Sequence, residues 1–310
     1  MSDEGSFDAR RLSIVIPAYN EEDAIADTLH ALQAALPGAE IIVVNDCSTD
    51  RTGMIARAVS GVIVKDHPFN RGYGAGLKTG MRAASRPLIA WFDADGEMRP
   101  ADLVQMCTDL DRSRLAAVIG LRSRIATSHT RTVGKFLIRL TARALGLQIG
   151  HDINCGLRVF RREAIRPYVM LLPDGFSAST TSTMIMAERG YPVAFHPVSM
   201  NPRIGHSKVR LRHAFGSIAI VLRTVMLFAP LRIFLALSVP LLLGGAAYGA
   251  FMAVTAGRGV PTLAVLLIVS GGFLFLGGLL ADQISQLRLS QLRHLDDRQR
   301  EAPSSDQGAA

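Results

Sequence analysis

The chain has 310 residues, 49% of them hydrophobic and only 6% aromatic, with a formal net charge of +8. That basic balance calls for an anionic partner, while few aromatics and no recognition motif argue against nucleic acid. A mean hydropathy of +0.25 is high for a wholly soluble protein, and Cys47, Cys107 and Cys155, without CxxC spacing, argue against a disulfide framework or zinc site and suit a reducing compartment.

Residues 1–10 are polar, lack an apolar signal-like core and are expected to be a flexible N-terminus. Leu12–Pro17 (LSIVIP) is a short apolar run closed by proline, the pattern of a buried strand. Glu21–Ala35 places Ile25, Leu29 and Leu32 at helical spacing. Glu40–Asn45 (EIIVVN) predicts a second strand, and DCSTD after it is a helix-start signal. Gly61–Lys65, Pro87–Asp93 and Ala116–Gly120 predict further strands, with a helix over Gly74–Ala84. This alternation implies an α/β domain with a mostly parallel sheet, whose ligands bind beyond the carboxyl ends of the strands. Tyr19, Asn20, Asp46, Asp93 and Asp95 all follow predicted strand ends.

No acidic residue lies between Asp111 and Asp152, a stretch containing Arg122, Arg131, Lys135, Arg139 and Arg143. Val133, Phe136, Leu137, Leu140, Ala144 and Leu147 recur there at helical spacing, which predicts a basic amphipathic helix suited to an anionic membrane surface. Acidic residues are absent again between Glu188 and Asp282, where Arg203, Lys208, Arg210 and Arg212 precede an apolar segment. Residues 209–230 are expected to form a basic juxtamembrane helix.

No charged residue lies between Arg232 and Arg258, nor from Gly259 to Ala281. Each stretch is long enough to cross a bilayer, so residues 231–284 predict a transmembrane hairpin. Pro240 is expected to kink the first span, and Gly244, Gly245, Gly271, Gly272, Gly277 and Gly278 to let the helices approach closely. Arg210, Arg212, Arg223 and Arg232 before the hairpin, and Arg288 and Arg293 after it, outnumber Arg258 in the turn. The N-terminal domain and the partly disordered tail, 285–310, are therefore expected on the cytoplasmic side.

Asp93-Ala94-Asp95 ends an apolar run, with Glu97 close behind. Two carboxylates at this spacing can hold Mg2+ or Mn2+ together with phosphate and water oxygens; on spacing alone a solvated turn explains them equally. Gly72–Thr79 nearly spells a phosphate-binding GxxxxGK[ST] loop, but Leu77 stands where that loop needs glycine. A tight turn near a donor pocket is the simpler reading.

IVIPAYNEEDAI (14–25), VVNDCSTDRT (43–52), NRGYGAG (70–76) and FDADGEM (92–98) together resemble glycosyltransferase family 2, with its GT-A fold. GLRSR (120–124), DINCGLRVFRRE (152–163) and RIGHSK (203–208) narrow the likeness to dolichol- and polyprenol-phosphate sugar synthases. The resemblance covers roughly residues 12–210 and implies a GT-A catalytic domain over residues 11–208. It implies nucleotide-sugar binding by Pro17, Tyr19, Glu21, Val44, Asp46, Asp93, Ala94, Asp95, Arg122, Arg203 and Lys208. It further implies a metal held by Asp93, Asp95 and Glu97, with Asp95 and Arg122 central to catalysis. Two departures stand out: Asn45 replaces an Asp common in the family, a mild change because the acidic Asp46 after it is kept, and Glu97 stands where relatives carry Gln.

With the acid-free segments, the resemblance implies an inverting transfer from a GDP-mannose or UDP-glucose type donor to a polyprenyl phosphate. Arg131, Lys135 and Arg203 would meet the acceptor phosphate. Asp152 either contacts the sugar, orients Arg158 or is structural. A processive polysaccharide synthase would carry a QxxRW-type motif, whereas the one tryptophan here is Trp91. Another membrane or glycan acceptor, and an inactive membrane-tethered nucleotide-sugar sensor, stay open, as does a homo-oligomer.

Overall fold

The computed structural model describes residues 7–122, 155–201, 230–257 and 259–301. These residues fall into two compact units, one built on a sheet and one on two long helices. The basic helix at 131–147, the juxtamembrane stretch from 209, Asp152, Arg131, Lys135, Arg203 and Lys208 lie outside the described residues.

In the first unit, β1 (Leu12–Ala18) is buried throughout and β2 (Glu40–Asn45) nearly so. Such runs suit strands covered on both faces. They are linked by α1 (Ile25–Ala35), and α2 (Thr52–Ala58) leads on to β3 (Val62–Asp66). Next come α3 (Tyr73–Ala83), β4 (Leu88–Trp91), α4 (Pro100–Arg112) and β5 (Ala117–Arg122). β6 (Arg158–Arg161), the short α5 (Arg162–Ile165), α6 (Ala178–Glu188) and β7 (Val193–Val198) complete the unit.

Among the described residues the sheet has seven strands, in the order β3-β2-β1-β4-β6-β5-β7. Only β6 runs antiparallel to its neighbours. The chain builds outward from β1 to β2 and β3, then returns to place β4 on the other side of β1. That reversal opens a crevice between the loops after β1 and β4, the usual binding place in such sheets.

Two expected elements are shorter. The run expected to extend to Asp93 ends at Trp91. Phe92 still donates its N–H to the Val15 carbonyl at 3.1 Å, but the Asp93 N–H turns to the Met98 sulfur at 3.2 Å. The first helix starts at Ile25 instead of Glu21, because residues 20–22 are tied to the loop after β2. Asn20 N–H donates to Ser48 Oγ at 3.0 Å, Glu21 N–H to Thr52 Oγ1 at 2.8 Å and Glu22 N–H to Asp50 Oδ2 at 3.3 Å. β6 and β7 were not legible. β6 (RVFR) is bounded by arginines, and β7 contains Pro197, which is tolerated because among the described residues β7 pairs only with β5, at the sheet edge.

The second unit is a hairpin of α7 (Pro230–Ala256) and α8 (Thr262–Glu301). α7 is unbroken with Pro240 inside it. Pro230–Thr255 and Thr262–Leu287 are each 26 residues of apolar helix. At about 1.5 Å per residue each exceeds the ~30 Å of a bilayer core. Their outer faces are apolar and open, with Val254 85% and Phe273 72% exposed. A soluble monomer rarely exposes so continuous an apolar surface, so these helices are candidate membrane spans.

The helices touch through part of the expected glycine set. A Cβ on Gly278 would stand 2.4 Å from Phe234, on Gly271 2.8 Å from Leu242, and on Gly245 2.9 Å from Leu267 and Ile268. Gly277 makes ordinary contact with Phe234, while Gly244 and Gly272 face open space. α8 continues to Glu301, beyond the expected end of the spans at 284, since residues 283–301 contain neither glycine nor proline to stop it.

Asn45 shows why its amide matters. Its Nδ2 donates to Asp66 Oδ1 at 2.8 Å, and its Oδ1 accepts from Ser48 N–H at 3.2 Å. Asp66, which also pairs with Arg57, sits on the outer strand β3. A carboxylate at 45 would face Asp66 across a hydrogen-bond distance and lose the donor. Asn45→Asp is therefore expected to lower stability by about 1–2 kcal/mol near neutral pH, a figure restrained by the partial exposure of Asp66. Thermal unfolding of the two proteins checks this; an unchanged melting temperature refutes it.

Candidate active site

The parallel pairing of β1 with β2 and β4 delivers three loops to one edge. The first two, 19–24 and 46–51, are zipped together. Besides the bonds above, Asn20 Oδ1 accepts from Thr49 N–H at 2.7 Å, and Glu22 Oε2 accepts from Arg51 N–H at 3.2 Å and Nε at 3.0 Å. Asn20 and Cys47 both adopt positive φ, at 54° and 59°. Pro17 and Val44 are register partners, both buried, and Gly76 of α3 packs against them. Tyr19 stands at the rim, 37% exposed. The Glu21 carbonyl accepts from Ile25 N–H at 3.0 Å and so starts α1.

Asp46 is buried and organises the loop that follows β3. Its Oδ1 accepts from Arg71 N–H at 2.8 Å and meets His67 Nδ1 at 2.6 Å, while its Oδ2 accepts from Gly72 N–H at 2.7 Å. His67 Nε2 pairs with Thr79 Oγ1 at 2.9 Å, tying the carboxylate to α3 as well. A carboxylate offers about four acceptor positions, and three are committed inside the protein. Asp46 therefore shapes the loop and keeps about one position for a ligand.

The glycines of NRGYGAG answer to packing. Gly72 has φ of 97°, and a Cβ there would lie 2.6 Å from the Asp174 carbonyl; a Cβ on Gly74 would lie 2.0 Å from the Pro173 carbonyl. Ala75 N–H donates to the Asp174 carbonyl at 3.1 Å, and Lys78 pairs with the Asp174 carboxylate. This is the expected tight turn, clamped onto residues 173–175.

The clamp brings Tyr73 to the third loop. Its hydroxyl donates to Asp93 Oδ1 at 2.9 Å. Asp93 is pushed up to about 7, first by burial, then by the charge of Asp95, with Glu97 adding to it; the Tyr73 hydrogen bond and the Arg122 charge act in the other direction. Arg122, the last residue of β5, thus joins the same electrostatic cluster. Asp95 is buried and its Oδ1 accepts from Glu97 N–H at 3.2 Å across Gly96. Ala94 is buried in the core, and its carbonyl accepts from Thr28 Oγ1 at 3.4 Å. The loop is also held to the chain after β7, where Asn201 N–H donates to the Glu97 carbonyl at 2.8 Å.

Among the described residues no three acidic, His or Cys side chains form a ready metal cage. The expected trio of Asp93, Asp95 and Glu97 does not close into one, and Asp93 already spends an oxygen on Tyr73. The donor set still fits a hard divalent cation that takes one or two carboxylates and draws its other oxygens from phosphate and water. Crowding of three carboxylates is the strain such a cation relieves.

Sequence reasoning left Tyr73, His67 and Gly156 without roles. A Cβ on Gly156 would lie 2.7 Å from Asp93 Oδ2 and 3.1 Å from Tyr73 Oη. It also assigned no role to the hydroxyls of SASTTST. Fully buried Arg158 donates through Nε to the Cys155 carbonyl at 2.8 Å, and through one terminal nitrogen to Ser182 at 3.0 Å and Thr183 at 2.7 Å on α6. Its guanidinium also lies 5.8 Å from the Trp91 ring centre. An arginine on a strand beside apolar neighbours was the available signal, and α6 supplies the acceptors it needs.

Residues 13–169 match the glycosyl transferase family 2 model, and residues 229–287 match the GtrB C-terminal hairpin model. An uncharacterized glycosyltransferase of Mycobacterium bovis is 32% identical over 216 residues, covering 68% of this chain and 94% of that protein. The dolichyl-phosphate hexose transferase of Haloferax volcanii is 28% identical, over 64% of this chain and 86% of its own. The undecaprenyl-phosphate 4-deoxy-4-formamido-L-arabinose transferase of Pseudomonas paraeruginosa is 26% identical, over 89% of this chain and 85% of its own. In fold, the chain is similar to glucosyl-3-phosphoglycerate synthase of Mycobacterium tuberculosis, solved with Mn2+, UDP and glucosyl-3-phosphoglycerate. That likeness has a TM-score of 0.57 at 21% identity, covering 70% of this chain and 79% of that one. The chain belongs to glycosyltransferase family 2, with the GT-A fold, and is a glycosyltransferase.

The structural role of Asp46 can be tested. Asp46→Asn replaces one acceptor oxygen by a donor that faces an N–H. It is expected to cost about 1–3 kcal/mol of stability without any ligand present. Melting of the nucleotide-free protein checks it; a residue that only contacted a nucleoside would leave that melting temperature unchanged.

Proposed function

We propose that this family 2 glycosyltransferase moves a sugar from a nucleoside diphosphate donor to a polyprenyl phosphate at the cytoplasmic membrane face, with inversion at the anomeric carbon. The observation that carries the reading is the acidic DAD loop beside Arg122 at the carboxyl edge of the sheet, in a chain that also carries an apolar hairpin. Relatives named for dolichyl- and undecaprenyl-phosphate transfer support the acceptor class. The arginines flanking the hairpin support the orientation.

Each group has a distinct task. Pro17 and Val44 form an apolar wall, and Tyr19, Glu21 and Asp46 line the loops that would hold the nucleoside. Asp95, with Asp93 or Glu97, would hold Mg2+ or Mn2+, which when bound neutralises the departing diphosphate as a Lewis acid. Arg122, Arg203 and Lys208 would bind donor phosphate oxygens, with Arg131, Lys135 and Arg203 toward the acceptor phosphate. A phosphate monoester has its second pKa near ~6, so the attacking oxygen is already anionic near neutral pH and needs no strong general base. Catalysis then rests on alignment and on holding two anionic substrates together.

The deciding experiment incubates the purified full-length protein with a panel of nucleotide sugars and a polyprenyl phosphate, followed by mass analysis of the lipid. A glycosyl-phospholipid is expected from a GDP-mannose or UDP-glucose type donor. Donor turnover without a glycolipid would favour another acceptor, and nucleotide binding without turnover would favour a sensor. Asp95→Asn is expected to lower transfer about a hundredfold or more while the melting temperature holds; full activity of this variant in chelator would sink the metal assignment.

Arg131→Ala is expected to raise the KM for the lipid roughly ten- to a hundredfold, the value of a charge-assisted contact, with donor KM nearly unchanged. Arg122→Ala should damage donor affinity or turnover instead. Paired titrations of lipid and donor check both, and weakened donor binding with normal lipid dependence in Arg131→Ala would remove that residue from the acceptor site.

A further inference from the structure

Tyr73 stands where three separate contacts meet. Its hydroxyl donates to Asp93 Oδ1 at 2.9 Å. The Ser179 hydroxyl, in the first turn of α6, lies beside the phenol oxygen and acts on it electrostatically, so Ser179, Tyr73 and Asp93 form one row of polar groups. Its ring stacks on Phe176, with centroids 5.4 Å apart and planes 17° from parallel. Phe176 is itself 66% exposed, so the stack lies at the surface of the site. Gly156 closes the remaining side, where no larger residue would leave room for both the phenol and the carboxylate.

A phenol facing a carboxylate is the donor of the pair. Asp93 has the complementary need: its neighbours Asp95 and Glu97 offer acceptors, and without a donor its side chain would be free to rotate away. A hydrogen bond to a charged, sheltered group is stronger than a neutral one, and a chain of such bonds fixes the orientation of each member.

We propose that Tyr73 is a positioning residue of the donor site, acting through the first carboxylate of the DAD loop and coupling it to α6 by way of Ser179 and Phe176. The inference rests on the reading of that loop as the nucleotide-sugar site. It also gives NRGYGAG a purpose: Gly72 and Gly74 let the start of α3 press on residues 173–175 so that the phenol reaches Asp93.

The test is a double-mutant cycle on the full-length protein in detergent. Calorimetry follows binding of UDP and of GDP in the presence of Mn2+, and melting is recorded without nucleotide. Tyr73→Phe keeps the ring stack and removes the hydroxyl. It is expected to weaken binding of the preferred nucleotide roughly ten- to a hundredfold, with the melting temperature nearly unchanged. In an Asp93→Asn background the same change should shrink to about threefold or less, because residues acting through one another are non-additive. Ser179→Ala, a smaller change, should weaken binding in the same direction by about threefold. Equal effects of Tyr73→Phe in both backgrounds, or no effect of Tyr73→Phe and Ser179→Ala, would overturn the proposal. If the unaltered protein bound neither nucleotide, the donor-site reading would fall and this inference with it.

Discussion

The site depends on one buried carboxylate. Asp46 captures the amides of Arg71 and Gly72 and the ring of His67, fixing where α3 begins. Gly72 and Gly74 then allow contact with residues 173–175, and Tyr73, the first residue of the helix, reaches Asp93. A lost acceptor at 46 therefore propagates to the acidic loop after β4, although the two positions belong to different strands. The cost of leaving sheltered N–H groups unpaired makes this chain of contacts stiff.

The acidic loop gathers three carboxylates against Arg122, while Arg158 is buried nearby with its donors absorbed by α6 and a carbonyl. On the function proposed above, the negative cluster would take the cation and Arg122 would bring positive charge to an anionic substrate. A glycosyl transfer between two phosphate-bearing molecules needs both. The separate hairpin, a candidate for membrane spans, adds an exposed apolar surface and is packed internally through Gly245, Gly271 and Gly278. Gly244 and Gly272, which face open space, show that small residues in such a helix need not all serve the helix contact.

Much of this was legible because the determinants are local. The apolar runs of β1 and β2 announced strands, DAD after an apolar run announced an acidic loop, and the charge-free stretches announced the hairpin. Less was legible where partners come from far along the chain. The start of α1 was misplaced because residues 20–22 bond to the loop at 48–52, and β6 was missed because its arginines are satisfied far along the chain, Arg158 by α6 and Arg161 by the carbonyls of Leu110, Ser113 and Leu115. The change at Asn45 looked mild, yet its amide faces Asp66, which makes the exchange between Asn and Asp consequential.

By itself the sequence determined the α/β order, the carboxyl-end location of the distinctive polar residues, the two apolar spans and the likeness to family 2, since periodicity, motif order and charge are properties of a single line of residues. Only the tertiary structure decided that the glycines of NRGYGAG serve packing, that Asp46 is mostly spent on its own protein, that the helix of serines and threonines supports Arg158, and that Tyr73 holds Asp93. Those are contacts between segments separated by 20 to more than 100 positions. Their energies come from who meets whom in the crevice at the edge of the sheet, which composition and spacing do not encode.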